Sequence, residues 1–122
     1  MNILIVEDDK VLSLMLQKMV ERMGYQVAET TTEGQKAVEL SRILSCDLIL
    51  MDIMLEDDLD GIEAYRKINE SEKIPVIYIT GNSDPANKAR ADEMGYHDYI
   101  IKPVIYENLL KSIRALESEN YK

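Results

Sequence analysis

The chain has one cysteine, one histidine and few basic residues, with 14 lysines and arginines against 23 aspartates and glutamates in 122 residues and a formal charge of −9. The single Cys46 cannot form an internal disulfide, and its place just before an apolar run marks it as an inert core thiol in a reducing compartment. The shortage of cations, with a pI near 4.6, argues against direct binding to nucleic acid or an anionic membrane, since both require a basic face. Basic or cationic partners are favoured instead. No apolar stretch approaches the ~20 residues that cross a bilayer, and no basic leader precedes the first apolar run, so the expectation is a cytoplasmic protein without a membrane span. His97, the lone histidine, stands in a turn with no second ligand patterned nearby and reads as a solvent-exposed loop residue.

What is present is an alternation. A chain of this length, 46% hydrophobic, suits one domain over 1–122 with one good core. Strand-like runs at 3–6, 25–29, 48–51, 74–79 and 98–101 alternate with helical patterns at 10–23, 33–45, 61–70, 84–95 and 104–117, and 118–122 are expected to fray. Gly24 and Gly95 supply helix stops, the threonines at 30–32 offer caps for the second helix, and Asp84-Pro85 reads as a cap followed by proline at the first helical position. Short connections between alternating units predict a doubly wound α/β fold, a parallel sheet covered by helices on both faces. Strand order does not follow from spacing alone.

Acids recur where the buried strands end. Ile3-Leu4-Ile5-Val6 runs into Glu7-Asp8-Asp9, and Leu48-Ile49-Leu50-Met51 runs into Asp52. Continuous apolar runs of this kind are strands covered on both faces, and in open α/β sheets ligands bind beyond the carboxyl ends of the strands. If the first and third strands are neighbours, as in the flavodoxin-like order 2-1-3-4-5, then Glu7, Asp8 and Asp52 converge. Such a cluster calls for a cation, and a few hard oxygen ligands suit Mg²⁺. The fourth strand finishes at Thr80-Gly81 and the fifth at Lys102-Pro103. Acids, one hydroxyl and one lysine at separate strand ends are a set suited to a phosphoryl group.

These pieces, in this order, resemble the receiver domain of bacterial two-component response regulators of the chemotaxis-regulator type, over the whole chain. The resemblance implies a flavodoxin-like (βα)5 sandwich of order 2-1-3-4-5. It implies that Asp52 accepts a phosphoryl group from the phosphohistidine of a sensor histidine kinase or a histidine phosphotransfer protein. It further implies that Asp8, Asp52 and the Met54 backbone carbonyl bind Mg²⁺, with Mn²⁺ as an alternative ion and Glu7 acting through a water, while Lys102 and Thr80 contact the phosphoryl oxygens. Thr80 and Tyr99 would form the switch, and the Lys102-Pro103 peptide would be cis. Met54 and Asn82 would tune the lifetime of the acyl phosphate. The implied protein is a phosphoacceptor, not a turnover enzyme, acting on an unidentified protein target or as a homodimer through the fourth helix, fifth strand and fifth helix.

Departures from the pattern are local. The stretch between Asp52 and Gly61 is one residue longer than the commonest version, Glu56 stands where proline is usual, and Val104 replaces a common phenylalanine. Four other readings compete. Glu56-x-Asp58-x-Asp60-Gly61 resembles half of a calcium loop, but Lys67 occupies the position that needs glutamate, which leaves a solvated acidic loop. A dehalogenase-like phosphatase would need an aspartate where Glu7 stands, and the acids after the first strand would repel a flavin phosphate. The remaining alternative is a receiver-like interaction module that acts without phosphorylation.

Overall fold

In a computed structural model of the chain, which describes residues 1–81 and 84–119, the strands are β1 (Asn2–Val6), β2 (Gln26–Thr31), β3 (Leu48–Met51), β4 (Val76–Thr80) and β5 (Asp98–Ile101). Between and after them run α1 (Lys10–Arg22), α2 (Gly34–Ile43), α3 (Gly61–Ser71), α4 (Pro85–Met94) and α5 (Tyr106–Glu119). All strand pairs are parallel and the order is β2-β1-β3-β4-β5. The doubly wound fold is therefore as expected, and β1 lies against β3.

Alternating strand residues divide the core in two, because successive side chains leave a strand on opposite faces. Leu4, Val6, Ile49, Met51, Val76 and Tyr78 face helices α2, α3 and α4. Ile3, Ile5, Leu48, Leu50, Ile77 and Ile79 face α1 and α5. This explains why the central runs are apolar without interruption, since each fully buried Leu or Ile contributes about 2 kcal/mol on either face. Cys46 is half-buried against the first cluster, and burial pushes its thiol up, as suits an inert position.

Several boundaries differ from expectation. β2 extends to Thr31 instead of stopping at 29, so Thr30 and Thr31 pair with Ile5 and Val6, and of the threonine side chains Thr31 Oγ1 accepts the Glu33 amide at 3.2 Å, at the entry to α2. β4 begins at Val76, leaving Ile74 and Pro75 outside the strand. α5 begins at Tyr106, two residues later than expected, and continues to Glu119, so Ser118 is helical and not frayed. The fraying expected at 120–122 lies outside the described residues. His97 is also not an exposed loop side chain; it is half-buried, and its Nε2–H donates to the Ser112 carbonyl of α5 at 2.6 Å. A turn residue looked free because its partner is 15 positions away.

The sequence has no phenylalanine or tryptophan, and tyrosines supply the aromatic core. Tyr78 meets Tyr65, Tyr96 and Tyr99 with ring centroids 6.0–6.3 Å apart. Its hydroxyl is buried without a hydrogen-bond partner among the described residues, and burial holds the phenol far above its ordinary range. Unfolding rehydrates that oxygen, so the native state alone bears the cost. Tyr78→Phe is therefore expected to stabilise the protein by about 1 kcal/mol in urea unfolding; a loss of similar size would show that the hydroxyl has a partner.

Candidate functional site

The carboxyl ends of β1, β3, β4 and β5 build one crevice. The Asp52 amide donates to the Val6 carbonyl at 2.8 Å, continuing the β1–β3 pairing by one residue and setting Asp52 beside Glu7. In the same way the Lys102 amide donates to the Thr80 carbonyl at 2.9 Å, carrying the lysine past the end of β5. Sheet pairing thus places residues far apart in the chain side by side. Asp8, Asp9, Asp52, Met54, Thr80, Gly81 and Lys102 line an opening of about 410 Å³. A larger hollow of about 520 Å³ lies at the opposite ends of the strands, beside Pro75 and His97, but no carboxylate lines it.

Burial and charge differentiate the acids. Glu7 and Asp52 are buried, at 1% and 4% exposure, whereas Asp8 and Asp9 are exposed. Asp9 is committed elsewhere: its Oδ1 accepts from the amides of Val11 and Leu12 at 3.0 and 3.2 Å, capping α1. Glu7 Oε2 accepts the Asp9 amide at 3.0 Å. Lys102 Nζ lies 2.9 Å from Asp52 Oδ2 and 3.1 Å from Glu7 Oε1, bridging the two buried acids. Burial pushes the Glu7 carboxyl up to about 8, and the adjacent Asp52 adds to the rise against the pull of the Asp9 amide and Lys102. Burial disfavours the Lys102 charge too, yet Asp52 and Glu7 hold the ammonium above its ordinary range.

The donor set suits a divalent cation. Carboxylate oxygens of Glu7, Asp8 and Asp52 all lie within 4.8 Å of one another. Three carboxylates facing one ammonium leave an excess of negative charge at a partly buried point, and the neighbouring Asp52 adds to the upward push that burial exerts on Glu7. A hard cation would relieve that excess.

The remaining expected residues fall around this centre. Thr80 is buried at the end of β4. Tyr99 does not line the opening; it pairs with Tyr78 across β4–β5, on the sheet face that Thr80 also faces two residues further on. Its hydroxyl is buried with no hydrogen-bond partner among the described residues. The Met54 side chain is 62% exposed at the rim. The Lys102–Pro103 peptide is cis. Asn82 lies outside the described residues.

Two features were missed in the sequence. Gly61, the first residue of α3, is packed so closely that a Cβ would overlap the Asp52 carbonyl oxygen and lie 2.9 Å from its carbon. Asp57, expected in a solvated loop, is half-buried and accepts from the Gly34 and Gln35 amides at 2.8 and 2.9 Å. The acidic stretch was visible, but its bonding was not, because Asp57 and the amides it caps are 22 and 23 residues apart.

A family model described as the response regulator receiver domain matches residues 3–114. The response regulator ArlR of Staphylococcus aureus is 38% identical over 115 residues, covering 94% of this chain and 52% of the relative. The chain thus spans about half the length of the curated relatives it matches. Among solved structures, the receiver domain of the sensor histidine kinase PA1611 from Pseudomonas aeruginosa, which has a magnesium ion coordinated in its active-site cleft, superposes with a TM-score of 0.84 at 31% identity, covering 93% of this chain and 94% of that one. A CheY-like receiver domain protein from Methanospirillum hungatei gives a TM-score of 0.88 at 28% identity, covering 97% and 94%.

Proposed function

This chain belongs to the response regulator receiver domain family, and on that premise we propose that Asp52 is its phosphoacceptor, with a sensor histidine kinase or histidine phosphotransfer protein as donor. Members of the family accept phosphoryl groups and do not turn over an external substrate. The observation that carries the proposal is the shared opening in which Asp52, Asp8, Thr80 and Lys102 meet.

The chemistry divides among these residues. An Asp52 carboxylate oxygen attacks phosphorus while the phosphorus–nitrogen bond of the donor breaks, and the departing imidazole takes a proton from solvent. Lys102, already paired to Asp52 Oδ2 at 2.9 Å, neutralises the oxygens that arrive there. The Thr80 hydroxyl donates to another of them. Mg²⁺, or Mn²⁺ in its place, held by Asp8, Asp52 and the Met54 carbonyl with Glu7 acting through a water, would supply charge neutralisation and alignment of the phosphoryl group. Beside the site, Val11, Leu12 and Met15 of α1 with Pro103 and Val104 line a mostly apolar hollow suited to a docking donor protein.

Thr80 and Tyr99 form the proposed switch. Attraction of Thr80 to the phosphoryl group vacates space on the sheet face that Tyr99 shares, and Tyr99 moves inward, reshaping the surface of α4, β5 and α5. That surface would meet the downstream protein target or a second copy of the chain. We treat 1–122 as one receiver domain, working in the cytoplasm, that binds neither nucleic acid nor membrane. The −9 charge supports this, and no described helix is long and apolar enough to cross a membrane.

The test is intact mass after incubation with acetyl phosphate: a phosphoryl adduct forms with Mg²⁺ and is absent with chelator. No adduct under either condition would refute the assignment. At the rim, apolar Met54 cannot orient an attacking water, whereas an amide can. Met54→Asn is expected to shorten the lifetime of the phosphorylated form severalfold, and unchanged decay of the adduct would count against a water-positioning role.

A further inference from the structure

The loop between β3 and α3 is anchored at both its base and its tip. At the base, the Gly61 amide donates to the Ile53 carbonyl at 2.8 Å, and the Gly61 Cα packs on the Asp52 carbonyl. At the tip, the Glu56 amide donates to the Thr32 carbonyl at 3.1 Å. Both Asp57 carboxylate oxygens accept from the first turn of α2, at Gly34 and Gln35. Gly34 also lies so close to the Leu59 carbonyl that a Cβ would overlap its oxygen. α2 lacks a cap of its own, since Glu33 in the N-cap position makes no side-chain bond to the helix. Asp57 supplies it from across the fold.

Met54 stands between these two anchors, and its backbone carbonyl is one of the proposed metal ligands. We infer that Asp57 is a positioning residue, holding the loop tip on α2 so that the Met54 carbonyl stays aimed at the Asp8–Asp52 centre. The inference rests on the metal reading above. It also gives the extra residue and the acidic composition of this loop a use: the longer loop reaches α2 and carries the carboxylate that caps it. A carboxylate held by two amides fixes the tip in both distance and direction, which a single bond cannot do. Loss of the anchor leaves Asp8 and Asp52 in place but frees the third ligand.

Isothermal titration of the full chain with MgCl2 tests this. Asp57→Ala is expected to weaken Mg²⁺ binding about tenfold, the scale of effects from residues that orient ligands without touching the metal. Asp57→Asn, whose single acceptor oxygen can serve only one of the two amides, should fall between Asp57→Ala and wild type. Asp58→Ala, which removes the same charge from an exposed neighbour, should match wild type. Amide exchange across 53–56 should quicken in Asp57→Ala and not in Asp58→Ala, a change that a cap serving α2 alone would not produce. Should Asp57→Ala fail to fold, Asp57→Ser carries the same comparison. Equal affinity of wild type and Asp57→Ala would overturn the inference and leave the metal reading standing, and equal losses in Asp57→Ala, Asp57→Asn and Asp58→Ala would reduce it to a charge effect. Wild type that takes up no Mg²⁺ would remove both.

Discussion

Asp52→Asn is expected to abolish the phosphoryl adduct that wild type forms with acetyl phosphate and Mg²⁺. The effect is all or none because no neighbouring acid can take over the role. Glu7 is 1% exposed and does not line the opening, so its oxygens are not presented to an arriving phosphoryl group. Asp9 is occupied in capping α1. Asp8 is exposed, and among the described residues no lysine is paired with it to receive phosphoryl oxygens. Among the described acids only Asp52 combines an opening to the crevice with a cation at 2.9 Å. The asparagine amide keeps the shape but lacks the charged oxygen that attacks, and the fold should survive because one negative charge leaves a crowded cluster. Intact mass of both proteins, with circular dichroism to confirm folding, decides the matter. An adduct of equal yield on the variant would move the phosphoacceptor elsewhere.

Gly61→Ala should destabilise the protein by about 3 kcal/mol and slow formation of the adduct. The reason is contact and not backbone freedom, because among the described residues only Gly24 and Gly95 have positive φ. A methyl group at position 61 would overlap the Asp52 carbonyl oxygen, lying 2.9 Å from both its carbonyl carbon and Met51 Cγ. The methionine tip can move, but the carbonyl belongs to the backbone that aims the Asp52 side chain. Relief requires α3 to back away, which strains the 2.8 Å bond from the Gly61 amide to Ile53. Stability and site geometry are therefore lost together. Urea unfolding and the adduct formation rate measure the two losses, and a variant within about 0.5 kcal/mol of wild type would show that α3 shifts freely.

Much of the site was legible because its signal is local. A strand buried on both faces is largely apolar, so its end is marked by a polar residue, and at three such ends stand Glu7, Asp52 and Thr80, while Lys102 follows the half-buried edge strand β5. The Asp84 cap of α4, drawn from an adjacent residue, follows the same local logic, whereas Asp9 and Asp60, read only as parts of acidic stretches, proved to cap α1 and α3. Where a bond spans the fold, the sequence offered a wrong partner or none. The threonines before α2 were expected to cap it, but two of them belong to β2; Thr31 reaches only the Glu33 amide, and Asp57 takes the amides of Gly34 and Gln35 in the first turn. His97 looked free and is bonded to α5.

The sequence by itself determined the alternating α/β fold and the polar residues at the ends of β1, β3, β4 and β5, because burial periodicity is set by neighbours a few positions away. Only the tertiary structure decided which acids share an opening, which of them are buried, and how tightly the loop after Asp52 is held. Those depend on strand order, through-space charge and backbone contacts such as Gly61 on Asp52 and Asp57 on Gly34, which exist only once distant parts of the chain have been packed together.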